Sequence, residues 1–99
     1  MTPAALDKLD WAGVQEHLGD AYAQTSCVDV EEALNWLAVN ANMPEIGFHG
    51  IGIGWIACAR FDTHGSRTVT FRSPSPWLVL IKLVAAVQLH RSGKLEIDQ

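Results

Sequence analysis

Ile51-Gly52-Ile53-Gly54-Trp55-Ile56-Ala57-Cys58-Ala59-Arg60-Phe61-Asp62 is where the chain changes period. Ile51, Ile53, Trp55, Ala57, Ala59 and Phe61 take every second place. Period two over this length predicts a strand with its core face on the odd positions. Asp62 to Ser66 has turn composition, and Arg67-Thr68-Val69-Thr70-Phe71-Arg72 resumes the alternation with Val69 and Phe71 inward. Two such runs joined by about five residues containing glycine predict an antiparallel β-hairpin. Two strands alone are marginal, so a third strand is expected, with Ile46-Gly47-Phe48-His49 as the candidate, or pairing with another chain.

Outward from the hairpin the period becomes helical. After it, Ser75-Pro76 offers a cap residue followed by proline at the first helical position. Trp77 to Leu89 then has only Lys82 and Gln88 as polar residues. The run is too short to span a bilayer and too apolar for a surface helix, which predicts a core helix lying on the sheet. His90, Arg91 and Lys94 suit its C-terminus, and Gly93 its stop. Before the hairpin, Asp29 and Glu32 have the offset of a capping box, and a helix is expected from Val30 to about Asn40, closed by Met43-Pro44. Thr2-Pro3 opens a first helix, with Leu6, Leu9, Val14, Leu18 and Tyr22 as its apolar stripe, expected over about residues 3 to 23. The expected fold is one α+β domain over residues 1–99, with two N-terminal helices, the hairpin and an apolar C-terminal helix packed on the sheet.

The 99 residues are 48% hydrophobic and 18% charged, which excludes intrinsic disorder and admits a single core. No apolar run is long enough for a membrane span and no apolar leader opens the chain, so a cytoplasmic protein with reduced cysteines is expected. The formal charge of −4 is unevenly divided. Residues 1–50 set Asp7, Asp10, Glu16, Asp20, Asp29, Glu31, Glu32 and Glu45 against Lys8. Residues 51–99 set Arg60, Arg67, Arg72, Lys82, Arg91 and Lys94 against Asp62, Glu96 and Asp98. Such asymmetry marks either solvated helix faces or separate acidic and basic partner surfaces.

Cys27-Val28-Asp29-Val30-Glu31-Glu32-Ala33-Leu34 opening a helix, Trp55 to Phe61 as a strand, and Ser73-Pro74-Ser75-Pro76-Trp77-Leu78-Val79-Leu80-Ile81 leading into an apolar helix form one pattern. Through them, the segment from Thr25 to His90 resembles a group of small phage and prophage proteins that form an α-β-α sandwich. The resemblance implies mobile-element origin and brings no catalytic residues with it.

The chemistry-bearing residues do not assemble into a familiar motif. Gly47, Gly50, Gly52 and Gly54 lack the strand-before, helix-after setting and the lysine of a phosphate loop. A strand stripped of side chains at Gly50, Gly52 and Gly54 instead suits close packing or homodimerisation through that strand. His17, His49, His64, His90, Cys27 and Cys58 show no zinc-ligand spacing, and no metal or cofactor is expected. Asp62, His64 and Ser66 alternate in a turn, where their side chains diverge, and Cys58 has no activating histidine beside it. No enzyme is expected. Two surfaces remain. An acidic face of Asp10, Glu16, Asp20, Asp29, Glu31 and Glu32, with Trp11 and Trp36 as aromatic anchors, would bind a host or phage protein. Its concrete form is an inhibitor of a host nucleic-acid machine, in the manner of anti-CRISPR proteins. The alternative is a regulatory module whose Arg60, Arg67 and Arg72 hold nucleic-acid phosphates, against which the sequence pI of about 5.4 argues.

Overall fold

The core helix and the meander it covers carry the architecture. In the computed structural model, residues 1–10, 12–14, 16, 30–50, 52, 54–61 and 67–96 are described. Their order is α1 (Pro3–Asp7), α2 (Val30–Asn40), β1 (Asn42–Phe48), β2 (Trp55–Arg60), β3 (Thr68–Ser73) and α3 (Pro76–Arg91). The strands form one antiparallel sheet in the order β1-β2-β3, so the α+β expectation and the third strand both hold. That third strand is longer than its candidate, starting at Asn42.

α3 begins where the cap-plus-proline pair places it, with the Ser75 hydroxyl accepting the Leu78 N–H at 3.2 Å. Every residue from Val79 to Val87 is buried. No single face could hide them all. α3 lies on β2 and β3, with α2 against another side and α1 against a third. Ala57 and Ala59, small and fully covered, let the helix backbone approach β2, while Phe71 and Val69 fill the space over β3. Gly93 stops the helix at φ 72°, and the Ser92, Gly93 and Lys94 N–H groups close onto its last carbonyls.

Two expectations are corrected. The strand expected from Ile51 is, among the described residues, β2 from Trp55. Gly50, Gly52 and Gly54 have φ of 107°, 98° and 80°, outside the range of extended backbone, and turn the chain between β1 and β2. Gly54 N–H donates to the Gly50 carbonyl at 2.8 Å and His49 N–H to the Gly54 carbonyl at 2.9 Å, closing that loop. The flattened strand face assigned to these three glycines is therefore a hairpin loop, and the strand-mediated homodimer loses the strand it was to use.

The continuous helix over residues 3–23 is also overturned. α1 ends at Asp7, with Lys8 as its C-cap, and Asp10 starts again: its carboxylate accepts the Gly13 N–H at 2.9 Å and its carbonyl the Val14 N–H at 3.0 Å. Asp7 itself is held elsewhere. Its Oδ1 accepts the Arg72 N–H at 3.1 Å on the outer edge of β3 and lies 3.8 Å from Lys82 Nζ, which also donates to the Asp7 carbonyl. Lys82 is the one charged residue that the core of α3 encloses among the described residues, and the end of α1 is where its ammonium finds oxygen.

This arrangement sets an expected asymmetry. Lys82→Met exchanges a buried cation for an apolar chain of similar volume and should shift stability by no more than about 1 kcal/mol, in either direction. Asp7→Ala should cost about 1–3 kcal/mol, because it leaves Lys82 with a single acceptor and frees the Arg72 amide, while water reaches part of the site. Urea unfolding of the two variants checks this. A more damaging Lys82→Met would mean that the ion pair itself holds α1 in place.

Candidate functional site

α2 carries more apolar residues than one face can bury. Ala33, Leu34, Trp36, Leu37, Ala38 and Val39 occupy most of its length, and only Ala33 and Leu37 are fully covered. Leu34 is 40% exposed and Val39 84% exposed. Across from Leu34, Leu37 and Ala38 run Pro44 and Ile46 of β1, and Leu80 and Leu83 of α3 form the floor between them. The result is an apolar groove of about 180 Å³, whose one charged lining residue, Glu45, turns its carboxylate to Cys58 on the other face of the sheet. Ile46 and Phe48 share one face of β1, opposite Ala57 and Trp55, so Phe48 extends the apolar stripe past the groove. Phe48 is 58% exposed and packs edge-on against Trp55, with ring centroids 5.4 Å apart. Exposed apolar side chains this close together are a mark of interaction surfaces.

The acidic residues stand around this groove only in part. Glu31 and Glu32 are exposed in the first turn of α2, with Glu31 one turn before Leu34. Asp10 and Glu16 are exposed on the N-terminal segment, while Asp20, Asp29 and Trp11 lie outside the described residues. Trp36 is not a free anchor. It is half-buried against the core, its carbonyl accepts the Asn40 side-chain amide at 2.8 Å, and the Arg91 guanidinium sits 5.7 Å above its ring.

The other face of the sheet has no helix over it among the described residues. Arg60, Thr68, Thr70 and Arg72 are exposed there, with Ile56 and Cys58 half-buried between them. Arg60 and Arg72 therefore share a face, as the alternative reading requires. Arg67 departs from it, lining a cleft with Thr2, Pro3 and Ala4 beside α1. Cys58 faces Glu45 across the strands, its Sγ 3.9 Å from Oε2. Burial, then the neighbouring carboxylate, pushes its thiol pKa up, which keeps it protonated and a poor nucleophile.

Asp62, His64 and Ser66, like His17 and Cys27, lie outside the described residues. Among the described residues no three of His, Cys, Asp and Glu converge as metal ligands would, and His49 and His90 stand apart on the β1–β2 loop and at the end of α3. No helix among the described residues is long and apolar enough to cross a membrane.

The groove is not legible in the sequence. Leu34 belongs to the stripe expected to face inward, and Ile46 and Phe48 read only as strand formers. The available signal is the surplus of apolar positions on α2. Compared with family models, curated proteins and solved structures, the chain matches none.

Proposed function

We propose that the chain acts by stoichiometric binding of another protein, taking into the α2–β1 groove a partner segment that presents apolar side chains between Lys or Arg residues. One observation carries this reading: the groove is apolar along its floor and both walls, and its acidic rim lies one turn away on α2, where Glu31 and Glu32 are exposed. An amphipathic helix with basic flanks satisfies both halves of that chemistry. The apolar side chains would provide the affinity, while the acids steer approach and fix orientation. A host or phage nucleic-acid enzyme is the concrete partner class, since its phosphate-binding surfaces are basic, and occupation of such a surface would inhibit it.

A displayed random-peptide library selected on the intact protein tests this. The enriched peptides should carry apolar residues three and four apart with Lys or Arg around them. Leu34→Asp should weaken their binding by about tenfold or more, since it removes one apolar side chain from the groove wall and puts a charge in its place. Because Leu34 is partly exposed, this variant should remain folded. Enrichment of acidic or wholly polar peptides, or binding indifferent to Leu34→Asp, would remove the groove from the reading.

A further inference from the structure

We infer that the concavity where α2, β2 and α3 end together is an oxyanion site that takes a phosphate group. It measures about 160 Å³, and its polar lining is Arg60, His90, Arg91, Asn40 and Asn42, with Val87 among its apolar walls. All five polar residues offer N–H donors, and no described carboxylate lines it. The strand register places Asn42 across from Arg60, whereas Glu45, the acid of β1, is set opposite Cys58.

Two helix C-termini meet here, and their carbonyls would ordinarily absorb this positive charge. Part of that demand is met locally: Arg91 Nη2 donates to the Asn40 carbonyl at 3.1 Å, and the Gln88, His90 and Leu89 carbonyls of α3 take the Ser92, Gly93 and Lys94 N–H groups. Arg91 is thereby fixed, with its guanidinium over Trp36, and only one of its nitrogens is committed to the carbonyl. His90 is fixed too, edge-on to Phe61 at 5.4 Å between ring centroids. Arg60 has no ion-pair partner among the described residues. A pre-positioned guanidinium such as that of Arg91 is well matched to phosphate oxygens, which it binds in pairs, and Arg60 adds a second one. The volume is below that of ordinary small-molecule pockets of roughly 300–1,000 Å³, which suits one phosphate group rather than a whole nucleotide.

The phosphate could belong to a small compound or to a nucleic-acid strand, and Arg72 separates the two. A strand crossing the open sheet face would also meet Arg72, at the opposite end from Arg60; a small phosphate would not. The test is an NMR titration of the intact protein with sodium phosphate, with sodium chloride at matched ionic strength as the control, followed by a short oligothymidylate. Phosphate alone should give saturable shifts at His90, Asn42 and Arg60, weakened about tenfold by Arg60→Ala, as for the loss of one charge-assisted hydrogen bond. Arg60 is exposed, so its removal should leave the melting temperature unchanged, whereas Arg91→Ala would also uncap α2. Tighter oligothymidylate binding that Arg72→Ala reduces, with phosphate binding unaffected, assigns the site to nucleic acid; oligothymidylate binding no tighter than phosphate assigns it to small phosphate compounds. Shifts that chloride reproduces, or phosphate affinity unchanged in Arg60→Ala, would overturn the proposal.

Discussion

Gly54→Val should destabilise the protein by about 3–5 kcal/mol, a large part of the 5–15 kcal/mol that holds a typical domain together. Two effects add. At φ 80° a side chain is in left-handed backbone, at about 1–2 kcal/mol, and more for a β-branched residue. In addition, a Cβ at this position would stand 2.7 Å from the Ser73 carbonyl oxygen and 3.0 Å from Pro74 Cα. Those are backbone atoms, and they lead directly into the Ser75 cap of α3, so relief of the clash means moving the start of the core helix. Gly52 supplies the control. It has a similar φ of 98° but open space around it, and Gly52→Val should cost only its backbone part. Urea denaturation of both variants separates the effects. Equal losses would show that the approach of Ser73 contributes nothing.

Phe71→Ala should cost about 3–5 kcal/mol, the range for a large aromatic side chain removed from a closed core. Phe71 is fully buried, beneath α3 and directly across from Ala57. The small residue opposite gives the prediction a second arm. Ala57→Phe alone overpacks the interface between β2 and α3, but combined with Phe71→Ala it conserves volume, and the pair should recover part of the loss. Thr70→Ala, next door on the open face, should change stability by less than about 0.5 kcal/mol. A loss for Phe71→Ala as small as that of Thr70→Ala would place the core somewhere other than between β3 and α3.

Particular residues explain which parts of this architecture can be read from the chain alone. Ser75-Pro76 and the apolar run behind it specify α3 because cap chemistry and burial act within a few residues. Val69 and Phe71 specify β3 because alternation records a face directly. The glycines at 50, 52 and 54 mislead for the same reason: their alternation reads as a strand, while positive φ at glycine leaves no trace in a hydropathy pattern. The stripe from Leu6 to Tyr22 likewise continues across residues 8–10, where the helix ends. At that end Asp7 is held by Arg72 and Lys82, far along the chain, contacts that no local pattern announces. Of the candidate surfaces, Glu31 and Glu32 are legible as exposed helix-start acids, and the structure places them so. The groove beside them depends on how α2 settles against β1 and α3, which no local pattern contains.

The partners of α1 also dictate when it can form. β1, β2 and β3 neighbour one another in chain order, so the sheet closes through short loops. α1 waits for partners 65 residues away at Arg72 and 75 residues away at Lys82. Such separations add closure entropy that a five-residue helix cannot offset alone, so α1 is expected to dock after the sheet and α3 have met, and to leave first. The Asp7→Ala variant should then speed unfolding and leave the folding rate nearly unchanged, which stopped-flow chevrons would display. On that ordering the meander and α3 are the nucleus, and α1 is the latch that sets how long the folded state lasts.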